Sequence, residues 1–411
     1  MGEQLDLEYV RRQFPALAGE WTFFDNAGGS QALARVVERV SDFLLTSNVQ
    51  VGASYAVSRL ATERVDEARR RLALYLNATD PDEVVFGGAT TQLFANLALA
   101  MAAQFRPGDE VIVTNLDHEA NVGPWVRLAA ERGLTVRVWK VNPETCALDL
   151  DDLDVLLTER TRLVCLTWAS NVVGTINDIA EVSRRAHRAG ARVVVDAVAY
   201  APHRALDVRA SGADFVCFST YKTYGPHQAV LWGRKAELLA LAGINHDFIG
   251  PEQIPYKLQP GNANFELSWG CTGIVDYFVE LGGLLGAAGN ERERIETAFR
   301  AVAAHEEVLA ERLLAFLRGR SDVRILGEAH PARARRMPTV SFTVAGRHAS
   351  EIPAHVDRCK IGIRWGDFYA RRLIADLGLA PMGGVVRVSM VHYNTLEEVD
   401  RLIGVLEEAL G

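Results

Sequence analysis

Between about residues 60 and 235, short β-rich runs alternate with amphipathic helical stretches, and that order leaves few folds open. The strand candidates are Val84–Phe86, Glu110–Thr114, Val136–Lys140, Arg162–Thr167, Arg192–Asp196 and Asp214–Phe218. Helical periodicity marks Thr91–Gln104, Val122–Arg132 and Ile179–Ala189 between several of them. Repeated βαβ units predict a largely parallel sheet with helices on both faces, because a parallel strand needs a crossover to return. Ligands in such sheets bind outside the carboxyl ends of the strands, so chemistry is sought there.

The remainder of the chain is organised differently. Region 243–272 is irregular and rich in Pro, Gly and Asn. After the Gly-rich stretch 282–289 a long helix presents Ile295, Phe299, Val302, Leu309, Leu313 and Phe316 on one face. It leads into a smaller α+β unit with strands Thr339–Thr343, Ile361–Ile363 and Val385–Met390 and helices Ser350–Asp357 and Thr395–Ala409. A chain of 411 residues is too long for one simple core. The expected division is an N-terminal segment 1–25 packed on the small domain, a large domain 26–290 and a small domain 291–411.

Bulk composition excludes several function classes. A net charge of −8 argues against an extended basic footprint for nucleic acid. No apolar run approaches the roughly 20 residues that span a bilayer. The stretch MGEQLDLEYVRRQF lacks the apolar centre of a signal peptide, so a cytoplasmic enzyme is expected. The five cysteines are scattered with no CxxC pair, which supports neither disulfides nor a zinc site, and no metal is expected.

The strand ends carry the functional signal. The stretch DFVCFSTYKTYGPH leaves a buried run and places Lys222 between Tyr221 and Tyr224 before a Gly-Pro turn. Alone, such a lysine reads as an exposed loop residue; desolvated, it is a nucleophilic amine. Asp196 closes the run RVVV, Asn171 follows the strand ending near Thr167, and His118 follows the strand ending at Thr114. Each alone reads as a turn or surface residue. FGGATT joins a strand to a helix start through glycines, aiming free N–H groups and hydroxyls at an anion, though it lacks the Gly-Lys-Ser/Thr of a Walker loop. Together they form a phosphate cradle, a ring-sized aromatic, an amide, a carboxylate and a lysine, in chain order. Pyridoxal phosphate needs that set, since its aldehyde condenses with a lysine and its ring nitrogen needs an acidic partner.

The order and wording of these motifs resemble the class V aminotransferase family of pyridoxal-phosphate (PLP) enzymes, with cysteine desulfurases, selenocysteine lyases and isopenicillin N epimerase-like proteins as relatives. The resemblance runs from FFDNAGGSQAL to VRVSMVHYNTLEEVDRL. It implies the aspartate aminotransferase-like α/β fold (fold type I), with a large, mainly parallel domain and a smaller α+β C-terminal domain. It implies Lys222 as the covalent cofactor anchor, His118 stacked on the ring, Asp196 at the ring nitrogen and Asn171 at the ring hydroxyl. Ala89, Thr90 and Ser219 are implied at the phosphate, with Tyr221 beside them, and Asn262 of PGNANFE serving the neighbouring subunit's phosphate in a homodimer. Arg387 of VRVS is implied as the clamp for the substrate carboxylate. Asn26, Tyr55, Arg364 and Trp365 are further candidates around the substrate, with Arg364 and Asp367 either contacting a substrate side chain or solvated in their loop.

Three positions depart from the desulfurase pattern. Ala199 stands where a glutamine is usual, Tyr221 where a histidine precedes the lysine, and Tyr369 where the persulfide-forming cysteine belongs. A phenol cannot accept sulfur as a thiolate does. The expected activity is cleavage of the C–S bond of cysteine or a cysteine S-conjugate by Cα deprotonation and β-elimination. Tyr369 either protonates the leaving group or lines the pocket. Tyr55, Trp365, Phe368 and Tyr369 would suit a bulky substrate if they converge. Two alternatives stand: an epimerase, aminotransferase or decarboxylating deaminase on an amino acid, and a non-catalytic scaffold of the same fold.

Overall fold

The computed structural model describes residues 4–411. Seven strands form the central sheet in the order Val84–Gly87, Ala229–Gly233, Phe215–Ser219, Arg192–Asp196, Thr161–Thr167, Glu110–Thr114, Thr135–Trp139. Every neighbouring pair is parallel except those of Ala229–Gly233, which runs antiparallel to both its neighbours. The sequence reading finds six of these strands, with ends shifted by about one residue, and misses Ala229–Gly233. That strand returns directly from the turn after Lys222, so no helix precedes it to announce a new unit.

Burial on both faces makes these strands nearly continuous apolar runs. The pleat divides them: Val193, Val195, Val216 and Phe218 enter one core with Tyr75, Ile274 and Phe299. Val194, Phe215, Cys165 and Cys217 enter the other, with Phe94 and Trp125. Helix Phe265–Leu284 covers part of the first core and corrects the expectation of an irregular stretch through 272 and a Gly-rich break from 282. Gly282 is needed inside that helix, because a Cβ there would lie 1.9 Å from the Arg294 carbonyl oxygen. No helix among the described residues is long and apolar enough to cross a membrane.

Helix Glu291–Arg318, started by an Asn290–Glu293 capping box, leads to an antiparallel sheet ordered Arg364–Gly366, Val385–Ser389, Thr339–Val344, Val323–Leu326. Ile361–Gly362 is not in that sheet. It pairs in parallel with Thr22–Phe23, which lays the N-terminal segment against the C-terminal part of the chain. Arg11 adds an ion pair to Glu398 at 2.8 Å. Residues 1–3 lie outside the described residues.

Candidate active site

The carboxyl ends of the parallel strands open onto one cleft, lined by Ala89, Thr90, His118, Asn171, Asp196, Ser219, Tyr221 and Lys222. Thr91, Ala120, Thr167, Val198 and Ala199 complete the wall. These residues come from five loops spread between Ala89 and Lys222, brought together because parallel strands end on the same side.

Lys222 ends a short 3-10 turn, Thr220–Lys222, and is 9% exposed. Its Nζ has no hydrogen-bond partner among the described residues. Burial, reinforced by the Arg387 guanidinium, lowers its pKa to about 8, against the opposing pull of Asp196. The turn is held from below. Tyr224, with φ +65°, donates its hydroxyl to Pro202 O at 2.9 Å and meets His392 Nδ1 at 3.1 Å. His392 Nε2 in turn lies 2.7 Å from the Tyr277 hydroxyl. With Tyr277 donating to Nε2, His392 carries its proton on Nδ1, and the side-chain polar atoms of Tyr277, His392 and Tyr224 are all satisfied.

Asp196 is buried, and burial raises its pKa to about 6. Oδ1 accepts from the Val198 N–H at 2.9 Å, while Oδ2 has no hydrogen-bond partner among the described residues. His118 Nδ1 accepts the Ala120 N–H at 3.0 Å, which places the ring proton on Nε2. Burial, with Lys222 and Arg387 nearby, lowers its pKa to about 4, so the ring is neutral at pH 7. The Thr90 and Ser219 hydroxyls lie 2.7 Å apart at the start of helix Thr90–Met101, whose first-turn N–H groups have no intrahelical acceptor. Asn171 donates from Nδ2 to Phe368 O at 2.9 Å.

Arg387 is fully buried on strand Val385–Ser389, 1% exposed. Nη1 donates to Asn171 O at 2.9 Å and Nη2 to Asp25 Oδ1 at 2.7 Å. The Phe368 ring covers the guanidinium, its centroid 3.7 Å from Cζ. Phe368 and Tyr369 both have positive φ, +52° and +61°. This kink is held by Asp367 Oδ1 accepting the Tyr369 N–H at 3.0 Å and by the Glu119 N–H donating to Tyr369 O at 2.8 Å. It turns the Tyr369 ring toward His118, 5.1 Å between centroids, although 67% of Tyr369 stays exposed at the cleft mouth.

Trp365, Asn26, Tyr55 and Asn262 are not brought to the cleft within this chain, whereas Arg387 and Arg364, outside its lining, lie near enough to act on the charge of Lys222. Trp365 has Val386 as its strand partner, so it leaves the sheet on the face opposite Arg364 and Arg387 and packs edge-on against His348. The Asn26 amide ties the N-terminal segment to the C-terminal part of the chain. Nδ2 donates to Ser389 O at 2.8 Å and Phe23 O at 3.0 Å, and Oδ1 accepts from the Tyr393 hydroxyl. Tyr55 is 51% exposed before helix Ala56–Leu76 and lines no part of the cleft. Asn262 is exposed beside Gln50, at 3.3 Å. The rings that do gather are His118, Tyr369 and Tyr221, the last stacked on His227 at 4.8 Å. None of the five cysteines lines the cleft: Cys165 and Cys217 lie in the core beneath it, Cys146 and Cys271 are buried elsewhere, and Cys359 is in the C-terminal part.

Two acidic groups escaped the sequence reading. Asp25, beside Asn26 in FFDNAGG, pairs with an arginine 362 positions away, and no local pattern signals that. Asp117, buried against Thr114 and Asn121, has its pKa raised to about 8 by burial and the nearby Asp196. The strand-end position before His118 was its only cue.

A mainly parallel α/β sheet with lysine, carboxylate, imidazole and anion cradle at its strand ends defines the fold-type-I class of PLP enzymes. The chain belongs to one family of that class: residues 22–402 match aminotransferase class V, a PLP-dependent enzyme family that includes the cysteine desulfurases. It is 43% identical over 415 residues to an aminotransferase-like protein of Gibberella zeae, covering 98% of each. It is 35% identical to a cysteine desulfurase-like protein of Aspergillus flavus, covering 98% of this chain and 90% of that one. Among solved structures, the apo cysteine desulfurase of Thermococcus onnurineus superposes with a TM-score of 0.88 at 28% identity, covering 98% of both chains.

The residues present fit the cofactor. Asp196 keeps one carboxylate oxygen unpartnered, Lys222 keeps an unpartnered amine, and the free first-turn N–H groups beside two hydroxyls suit a phosphate.

Proposed function

We propose that this protein is a PLP-dependent lyase that cleaves the C–S bond of cysteine or a cysteine S-conjugate without a protein persulfide. The supporting observation is a cleft that combines a desolvated lysine amine with no cysteine in its wall, Tyr369 standing at its mouth. Lys222 Nζ would anchor the cofactor, Asp196 Oδ2 would hold the ring N–H, and Asn171 would meet the ring hydroxyl. The neutral His118 ring would stack on the cofactor, and the turn Ala89–Thr90 with Ser219 would bind the phosphate, beside Tyr221. Bound there, pyridoxal phosphate supplies an electron sink for charge that develops at the substrate Cα.

The chain's own groups perform the rest. Arg387 binds and orients the substrate carboxylate. Released when the substrate's own amine takes its place on the cofactor, the amine of Lys222, partly neutral near pH 8, takes the Cα proton at Nζ. The Cβ–S bond then breaks, its electron pair leaves with sulfur, and the sulfur takes up the proton held at Lys222 Nζ and departs past Tyr369 as a thiol. Water completes release of a keto acid and ammonia. The proposal further includes a cytoplasmic homodimer in which Asn262 serves the partner's phosphate. It also divides the chain at 26–290 and 291–411, with the N-terminal segment, residues 1–25, on the small domain. The pairing of Thr22–Phe23 with Ile361–Gly362 supports that division.

The test is incubation of the purified holoenzyme with L-cysteine and S-alkyl cysteines, with assay of pyruvate, ammonia and free thiol. Stoichiometric thiol and pyruvate with no sulfur on the protein is expected. Exchange of the Cα hydrogen for deuterium without thiol release would instead assign the epimerase, aminotransferase or deaminase alternatives. Failure to bind the cofactor at all would leave the scaffold.

A further inference from the structure

A carboxylate arriving at Arg387 meets a guanidinium that already carries one. Nη2 donates to Asp25 Oδ1 at 2.7 Å, Nη1 is engaged by Asn171 O, and Phe368 covers the face. A second carboxylate on one buried guanidinium is opposed by its repulsion from the first, with only one of the two neutralised. Asp25 has a second cation within reach. Arg364 Nη1 lies 3.8 Å from Asp25 Oδ2, too far for a hydrogen bond but close enough to become one by a side-chain rotation. Arg364 is the cross-strand neighbour of Arg387, so both side chains leave the sheet on one face. It is 57% exposed on its side chain and forms no other ion pair among the described residues. The turn around Asp25 leaves room for movement: a Cβ at Gly28 would lie 2.8 Å from Oδ2, so glycine keeps that oxygen uncrowded. Two arginines and one aspartate sum to a single positive charge, which one further carboxylate neutralises.

We propose that Asp25 is a resident carboxylate that occupies Arg387 in the substrate-free protein and passes to Arg364 when the α-carboxylate of an amino acid takes Arg387. This rests on Arg387 being the substrate clamp. Asp25 and Arg364 are positioning residues; neither touches the reacting atoms. The exchange keeps the buried guanidinium paired in both states, and a primary amine without a carboxylate does not trigger it.

The test compares L-cysteine with cysteamine, which has the same amine and thiol but no carboxylate, on the holoenzyme. Binding of each is read from the absorbance change of the bound cofactor, and the ratio of the two dissociation constants isolates the carboxylate's contribution. Arg364→Gln strands Asp25 on Arg387 and should lower the preference for L-cysteine about tenfold. Asp25→Asn removes the competitor and should raise it by a similar factor. In the double variant the loss caused by Arg364→Gln should vanish. The same loss in single and double variants would overturn the exchange, because Arg364 would then act on substrate directly; so would an unchanged ratio in both single variants. Arg387→Ala separates the premises. If it leaves the ratio unchanged, the clamp itself is wrong; if it lowers the ratio while the other variants do not, only the exchange is wrong. Exposed Arg364 tolerates substitution even if Asp25→Asn leaves the buried guanidinium too costly to fold.

Discussion

In the proposed reaction the amine of Lys222 concentrates the chemistry at one atom. Its pKa falls from 10.5 to about 8 because burial disfavours the cation and Arg387 repels it. At pH 7 that supplies on the order of 300-fold more neutral amine than an exposed lysine. Lys222→Ala should lower turnover by at least about 1,000-fold and abolish cofactor retained on the protein after borohydride reduction, as measured by mass spectrometry; retained cofactor would move the anchor elsewhere. Asp196 is the complementary case. Its unpartnered oxygen awaits a donor that no described residue provides. Asp196→Asn should weaken cofactor binding by roughly tenfold in equilibrium dialysis, since a charge-assisted hydrogen bond is replaced by a neutral one. Unchanged affinity would remove Asp196 from the ring nitrogen.

Among the elements, the segment Asp367–Ala370 combines strain with anchorage. Two consecutive left-handed residues that are not glycine cost about 1–3 kcal/mol each. Hydrogen bonds from Asn171 and Glu119 and the seat of Phe368 on Arg387 offset that cost. The two rings should therefore respond differently to truncation. Phe368→Ala, losing a buried ring and its cation contact, should cost about 2–3 kcal/mol in denaturant unfolding. Tyr369→Gly relieves φ strain while losing an exposed ring and should change stability by less than about 1 kcal/mol. Equal losses would mean that the Tyr369–His118 contact contributes as much as the Phe368 seat.

At the scale of the whole molecule, buried titratable groups make stability follow pH. For Lys222 the folded pKa, about 8, lies below the unfolded value of 10.5. The unfolded chain then binds more protons between those values, so stability of the cofactor-free protein rises with pH across that window. Comparing wild type with Lys222→Ala, this difference should amount to on the order of 3 kcal/mol between pH 8 and 10.5, with no change below pH 8. His118 follows the same sign lower down: its folded pKa of about 4 makes stability rise with pH from about 4 to 6.5, and His118→Gln should flatten that part of the profile. A profile of the opposite slope in either window would contradict the desolvation assigned to these groups.

Strand and helix periods are local, and so the parallel sheet and the placing of Lys222, Asp196, His118, Asn171 and Thr90 at its carboxyl edge were legible from residues alone. A strand end is a feature of a few consecutive residues, and the parallel architecture places all such ends together. Ala229–Gly233 escaped because a hairpin return carries no helix to mark it. Partnerships across the chain were beyond any local reading. That Arg387 rests on Asp25, that Asn26 is consumed by Ser389 and Tyr393, and that Trp365 faces away from the cleft are set by register between distant strands. A shift of one residue in a strand reverses the face of every side chain on it. Residue order thus determined which groups were available, and the packed structure alone decided which of them share one buried, weakly screened space where their charges act on each other.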